Sequence, residues 1–494
     1  DEAPLAAAVL YSTKLNCGCY WESALAGQPT DPDHLVLSGM AGPGSVRVSQ
    51  DGGRTWAAAS LEGPNYIGDP KSIITPEGRV LLSSIAGVPN PTNIACPAAR
   101  TGVLYQGSLA SHRFIGTMFK QPPGNLRGGC TASDYPKIAY DTISGVIYIT
   151  AWAVRFDDGT VGPALFISRD GGKIFKERKI EYAVGKGHSP VYSVDGTTKG
   201  SLRAVVVFDR RFQLLRFNED VESFNIVQGL DVSGSGEAAR VSAASDRYWL
   251  VYTGPEIAID KSSWHPGRIY VVWAVPKSIV DDPSFTWNGR YGENFDVFVT
   301  YSDDDGNAWS HPQRVNDDTG PGDQVFPSID VDSSGVVHIT FLDKRESPGL
   351  PQYDVYYAKI VDGKVSRNIR VNPSDVPIAV GGSEPGDYLD MVVSYPKKVY
   401  VAYPCGNWNN IKAVDACITA IDPTVVPLLG EFHRGDSTQD FIIDISDAIN
   451  ILGYLFTGSG TITCQDAADV NDDGDIDLSD ALYLLNYLFK NERQ

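Results

Sequence analysis

Oxygen-bearing side chains spaced as a divalent cation needs them occur twice near the end of this 494-residue chain. The fuller run is Asp469, Asn471, Asp473, Gly474, Asp475, Asp477 and Asp480, followed by the apolar stretch Ala481–Phe489. Ca2+ takes oxygen ligands at positions 1, 3, 5, 9 and 12 of a 12-residue loop, a carbonyl at 7, and Gly at 6 for the sharp turn. Here Asp469, Asn471, Asp473, Asp477 and Asp480 supply the side chains and Asp475 the carbonyl, so one Ca2+ is expected in 469–480. A second run starts 33 residues earlier: Asp436, Thr438, Asp440, the Ile442 carbonyl, Asp444 and Asp447. Phe441 stands there where Gly is needed, which is costly at positive φ. Loop 436–447 therefore either holds a second, weaker Ca2+ or has rearranged into a metal-free loop.

Each loop leads into an apolar helical stretch, Ala448–Phe456 and Ala481–Phe489, with more apolar residues than so small a unit can hide. Upstream, to about Pro423, the chain reads as short strands rich in Val, Ile, Tyr and Thr, with little helical periodicity. Pro136–Asp141, Pro255–Asp260 and Pro327–Asp332 each open a strand, pass a polar Gly turn and enter a second, apolar strand. Ser49-x-Asp51-x-Gly53-x-x-Trp56 recurs at Ser168, Asp170, Gly172 and Phe175, and at Ser302, Asp304, Gly306 and Trp309. Such a run is a hairpin turn: the carboxylate accepts backbone N–H groups, Gly takes positive φ, and the aromatic plugs a core.

The Ser-x-Asp-x-Gly-x-x-Trp spacing resembles the Asp-box of sialidase-like (BNR-repeat) β-propellers, and the duplicated loop–helix unit resembles the type I dockerin of secreted bacterial proteins. The fold expected is mainly β: a seven-bladed propeller followed by a small α-helical, calcium-binding dockerin-like domain. The boundaries are residues 1–423 for the propeller, 424–431 for a short apolar linker and 432–494 for the dockerin-like domain. Strand groups start near Trp21, Asp69, Asp134, His188, Arg247, Gln324 and Asp387. Six blades follow instead if the groups at 68–120 and 187–233 are misparsed. The last group shows three strands, and Ala6–Leu15 is placed to supply its fourth and close the ring.

In such a propeller the loops between second and third strands share one face with the blade-to-blade connections. That face gathers Arg155, Arg211, Arg345, Asp134, Tyr135 and Asp387 as channel-side candidates. The sialidase resemblance implies an arginine triad gripping a sugar acid, a Tyr–Glu nucleophile and an acid/base Asp. The Arg-Ile-Pro signature that carries the first arginine is missing, so the reading leans away from catalysis. In the dockerin family, loop positions 10 and 11 read a cohesin partner, often as Ser-Thr; here they are Ile445-Ser446 and Leu478-Ser479.

A net charge of −20 opposes nucleic-acid binding, and no apolar run is long enough to span a membrane. Asp1 in place of Met reads as an exported, mature form. Of seven cysteines, Cys405 and Cys417 flank a loop between strands and are expected to pair; Cys96–Cys130 is a weaker pairing, and Cys464 is either free or joined to Cys17 or Cys19. The function expected is extracellular binding or assembly, through a cohesin-like domain or a neighbouring copy of the chain, with fibre or sheath formation in the latter case. The alternatives are a sialidase-like exo-glycosidase or polysaccharide-processing enzyme, and a carbohydrate-binding propeller without chemistry.

Overall fold

The structure, a computed structural model, describes residues 8–16, 23–39, 45–89, 98–120, 133–154, 161–180, 191–196, 202–208, 211–229, 255–276, 294–347, 352–373, 378–379, 389–394, 398–406, 414–428, 434–438, 443–462 and 464–489. Val-, Ile- and Tyr-rich runs broken by Gly and Asp turns pair into seven separate sheets, the blades of a propeller. The stretches 68–120 and 187–233 each contain a sheet of their own, so the count is seven and not six. The innermost strands are Ala24–Gln28, Asn65–Ile74, Ser133–Tyr140, Val191–Asp195, Glu256–Ile259, Gln324–Val331 and Asp390–Ser394. Each packs beside the innermost strand of the next blade, and Asp390–Ser394 packs beside Ala24–Gln28, which closes the ring.

Closure depends on the N-terminal strand. Val9–Lys14 lies antiparallel on Val414–Ile421 and completes the seventh blade, with Val9 opposite Ile421 and Lys14 opposite Cys417. Ser12 and Thr419 hydroxyls meet at 2.7 Å, and Tyr11 donates to the Gly52 carbonyl of the first blade. The expected Cys405–Cys417 disulfide is present and ties the second and third strands of this blade, while Cys464 is a free thiol. Cys17, Cys19, Cys96 and Cys130 lie outside the described residues.

The three Ser-x-Asp-x-Gly turns share one geometry. Asp51, Asp170 and Asp304 accept Thr55 N (2.8 Å), Ile174 N (3.0 Å) and Ala308 N (2.7 Å). Ser49, Ser168 and Ser302 hydroxyls each accept the N–H of the turn's glycine, Gly53, Gly172 or Gly306, at 2.8 Å. Those glycines have φ of 86°, 86° and 87°, where a side chain is strained. The turns also grip the preceding blade: Arg79 reaches the Gly171 carbonyl (2.5 Å), and Arg216 reaches the Asp305 carbonyl (2.8 Å) and carboxylate.

After the last strand, Pro423–Val425 forms a 3-10 turn capped by Asp422. Lys359 Nζ donates to the Pro423 carbonyl (2.7 Å), Arg367 N to the Pro427 carbonyl (3.0 Å), and Val426 is buried in the core shared by blades four to seven. The apolar linker is thus laid on the sixth blade as far as Leu428. The C-terminal unit has its own small core, Ala448, Ile451, Ala468, Val470, Ala481 and Leu484. Its helices are α1 (Ile445–Leu452), continued by a π turn at Gly453–Thr457, α2 (Gln465–Ala468) and α3 (Leu478–Phe489).

Removing the chain up to Lys14 exposes the edge of Val414–Ile421 and opens the ring. Thermal unfolding and size exclusion should show Tm lowered by several degrees and new high-mass species from edge pairing; an unchanged Tm with a clean monomer would contradict this account of closure.

Candidate functional site

The acidic loop before α3 is set as a cation loop would be. Gly474 takes φ 93° and Asp472 60°. Asp469 accepts Asp473 N (3.0 Å) and Gly474 N (2.9 Å). Asp480, fully buried, accepts Val470 N (2.6 Å), Asn471 N (3.2 Å) and Asp477 N (2.9 Å). Asp473 accepts Asp475 N (3.0 Å), and Asp477 caps α3 through Ser479 N (2.6 Å). Among the described residues no three His, Cys, Asp or Glu side chains converge on one point. The donor set is nevertheless all oxygen, a carboxylate oxygen bonded to one N–H retains lone-pair capacity, and the Asp473 and Asp477 carboxylates are exposed. The set fits Ca2+.

The loop before α1 repeats this frame. Asp447, also buried, accepts Thr438 N (3.0 Å) and Asp444 N (3.0 Å), and Asp444 caps α1 through Ser446 N (2.7 Å). Thr438 differs from Asn471 in donating its hydroxyl to Asp447 (2.9 Å), so its oxygen is tied to the neck of the loop. Asp440, Phe441 and Ile442 lie outside the described residues. Arg434 bridges the two halves by binding Asp472 (2.7 Å) and the Asp469 carbonyl.

The helices expose what the loops hold in place. Of sixteen exposed large hydrophobic residues among those described, nine belong to this unit. Eight fall into pairs one repeat apart: Ile445/Leu478, Ile449/Leu482, Tyr454/Tyr487 and Phe456/Phe489. Phe456 and Phe489 are 68% and 69% exposed, so the two halves present matching ridges.

On the propeller, Asp134 and Tyr135 begin the innermost strand of the third blade, at the upper mouth of the channel. Asp69, Tyr135 and Phe326, each followed by Pro, take φ of 48°, 51° and 52° at bulges in three blades. A bulge recurring at equivalent places re-aims the strand and is architectural. Burial, then a hydrogen bond to Asp69, pushes the Asp134 carboxyl up to about 7. A shared hydrogen bond puts these carboxyls closer than the roughly 5–9.5 Å that the two glycosidase geometries use. Below them Lys71, Lys137, Glu256 and Asp390 hold equivalent places one residue after Pro70, Pro136, Pro255 and Leu389. Lys71 pairs with Asp390 (2.9 Å), and Lys137 lies over the Tyr135 ring (4.1 Å), its ammonium lowered to about 8 by burial and by Lys71. A cavity of about 470 Å3 runs from Lys71, Glu256 and Asp390 to the lower-face turns at Pro76, Thr142 and Ser334.

Arg345 does not reach into the channel with free donors. It binds Asp343 (2.9 Å), Asp317 (2.6 Å) and Asn368 (2.9 Å) and stacks on Tyr356 (4.2 Å), latching the fifth blade to the sixth. Arg155 and Asp387 lie outside the described residues, as does the side chain of Arg211. The latch rests on a repeat that the sequence reading passed over: Asp296-Val297 with Arg314-Val-Asn316, and Asp354-Val355 with Arg370-Val-Asn372. Asn316 and Asn372 each accept the Val N–H (2.9 and 2.7 Å) and donate to the Asp (2.7 and 2.8 Å). The shared Arg-Val-Asn spelling was the available signal.

Residues 434–489 match the family model of the dockerin type I domain. No curated protein sequence matches the chain. Among solved structures, a protein of unknown function from Dyadobacter fermentans is 11% identical over 74% of this chain and 96% of its own, with a TM-score of 0.43. The NanB sialidase from Streptococcus pneumoniae is 10% identical over 73% and 69%, with a TM-score of 0.41. The alpha-L-arabinofuranosidase Arb93A from Fusarium graminearum is 11% identical over 62% and 96%, with a TM-score of 0.37. Likenesses this distant carry no argument about chemistry.

The Asp134 carboxyl makes a pH prediction. Its folded-state value stands above the unfolded one, so its contribution is fully present below about pH 4 and is lost as pH rises through about 7. Asp134→Asn, which cannot ionise, should match the parent Tm near pH 4 and exceed it at pH 8 by the equivalent of a few kcal/mol. A Tm difference that is the same at both pH values would show that the buried proton is absent.

Proposed function

We propose that the chain is an extracellular assembly protein in which the dockerin domain, its loops held by Ca2+, docks a protein partner and carries the propeller. The observation that supports this is the duplicated apolar surface. Ile445 and Leu478 stand at the position where dockerins commonly place Ser, and Ile449, Leu482, Tyr454, Tyr487, Phe456 and Phe489 extend each ridge. A solvated face would not repeat four exposed apolar residues in register. The partner is a cohesin-like domain whose contact face is apolar opposite position 10. Domains at 1–423 and 432–494 joined by 424–431 fit this reading, with the linker held on the sixth blade.

Ca2+ supports the surface indirectly. Asp469–Asp480 fixes the start of α3, so the cation sets where Leu478 and Leu482 stand. One site draws on Asp469, Asn471, Asp473, Asp475, Asp477 and Asp480. A second, weaker site draws on Asp436, Thr438, Asp440, Ile442, Asp444 and Asp447.

Two measurements test the proposal. Titrating Ca2+ into the EDTA-treated chain should raise the unfolding temperature of the C-terminal unit, by about 2.7 kcal/mol of added stability at a hundredfold excess over Kd. Asp469→Ala with Asp473→Ala should abolish most of that gain. Separately, the intact chain is presented to a panel of purified cohesin domains with and without EDTA. Capture that needs Ca2+ and falls at least tenfold in Ile449→Asp/Leu482→Asp is expected. If no cohesin is captured, concentration-dependent self-association that Ca2+ controls would replace the cohesin by a neighbouring copy; a Ca2+-insensitive monomer would overturn the assembly reading altogether.

A further inference from the structure

The lower face of the propeller holds a second site, unrelated to the dockerin and on the side opposite Asp134. The turn between the first two strands of the fifth blade, Asp260–Arg268, is longer than the matching turns at Asp141–Gly145 and Asp332–Gly335. Its extra residues lift Trp264 to the surface, where the indole is 71% exposed. The turn is ordered from within: Ser262 N donates to Asp260 (2.7 Å), Trp264 N to the Ser262 hydroxyl (3.1 Å), and Gly267 N to the Asp260 carbonyl (2.8 Å). An exposed tryptophan on a rigid turn is a built platform, since nothing in local packing holds it out.

Beside it lies a cleft of about 300 Å3 between the fifth and sixth blades. Its floor is aromatic: Tyr270 and Tyr301 rings stand 5.9 Å apart, with the Arg268 guanidinium 4.1 Å over Tyr301 and held by Asp303 at 2.6 and 2.9 Å. Its rim is polar. The imidazoles of His265 and His311 and the carboxylate of Asp362 line the cleft and have no hydrogen-bond partner among the described residues. At its back Asp260, buried to 1% exposure, keeps one oxygen without a partner, 3.4 Å from where a Cβ on Gly335 would stand. Gly335, at φ 80°, leaves room for the Trp264 turn to approach.

We propose that this cleft binds a neutral saccharide chain, one ring stacking on Trp264 and its hydroxyls bonding to His265, His311 and Asp362. The chemistry selects that class. An indole face carries negative π density and attracts the polarised C–H face of a sugar ring. Imidazoles can donate or accept and a carboxylate accepts, a set that suits hydroxyls, which do both. The charge argues against acidic sugars: the lining guanidinium of Arg268 is already paired with Asp303, so the Asp362 carboxylate leaves the cleft negative. This separates the site from a sialic-acid pocket.

Affinity electrophoresis of the intact chain through gels containing neutral polysaccharides (β-glucan, xylan, mannan) or an acidic one (polygalacturonate) tests the proposal. Retardation is expected in at least one neutral gel, unchanged by EDTA, which separates it from the dockerin. Trp264→Ala should reduce the affinity at least tenfold and His311→Ala by a smaller factor. Because Trp264 is exposed, its removal should leave Tm unchanged, and saccharide titration should alter fluorescence in the parent only. No retardation by any neutral polymer, retardation by the acidic polymer alone, or binding that survives Trp264→Ala would each overturn the proposal.

Discussion

The interaction on which the propeller depends is a carboxylate of one blade accepting a backbone N–H from the innermost strand of the next. An innermost strand has a neighbour on one side only, and its other edge faces the channel with unpaired peptide groups. Leu25 N donates to Asp390, Tyr135 N to Asp69, Ile259 N to Asp195, Ile329 N to Glu256 and Val393 N to Asp330, at 2.7–3.4 Å. Among the described residues five of the seven junctions are held in this way, always from one blade to the following one. At the junction of the first and second blades, the Ser38 and Ser72 hydroxyls meet at 2.9 Å instead. Such staples place carboxylates in the channel, and Lys71 and Lys261 then offset Asp390 and Asp195.

This constraint changes how the channel's titrating groups are read. Burial raises Glu256 and Asp330, and the same burial lowers Lys137. A cleft with several perturbed groups is ordinarily a candidate for catalysis. Here burial is the cause, and it outweighs the lowering that the peptide N–H exerts on Asp330; both Glu256 and Asp330 have a structural task in accepting a peptide N–H of the next blade. Asp134 and Asp69 come closest to an exception, but their shared hydrogen bond leaves no gap for a substrate atom between them. Of the arginines near the upper face, Arg345 is bound by Asp317, Asp343 and Asn368, and the charge of Arg100 acts on Asp134.

What was legible in the sequence was what is local in the chain. The Ser-x-Asp-x-Gly turns could be drawn to the hydrogen bond because donor, acceptor and positive-φ glycine lie within eight residues. The frame of the two acidic loops was local in the same way, with Asp447 and Asp480 each accepting N–H groups of their own loop. Ring closure was legible from an odd strand count. The staples were not, because alternation in a strand tells which blade face a residue meets and says nothing about a peptide N–H on the neighbouring blade. Arg345 was read as a channel candidate because Asp317, Asn368 and Tyr356, which hold it, come from different elements. Trp264 was invisible for a simpler reason: a Trp among strands reads as core until an inserted turn carries it outward.

One hairpin carries both the anchor of the segment 423–428 and one wall of the Trp264 cleft. The strands Gln352–Val361 and Lys364–Val365 of the sixth blade carry Lys359 and Ser366, where the linker is anchored, and their turn carries Asp362 and Gly363, which line the Trp264 cleft. The Ser366 hydroxyl accepts Lys359 N (2.8 Å), so anchor and turn belong to one rigid piece. A freely swinging domain would need a polar, flexible tether. The segment 423–428, with Val426 buried and the Pro423 carbonyl bonded to Lys359, is held on the blade instead. As far as Leu428 the chain is therefore held on the same hairpin whose turn lines the Trp264 cleft, so anchor and cleft share the lower-face end of the sixth blade.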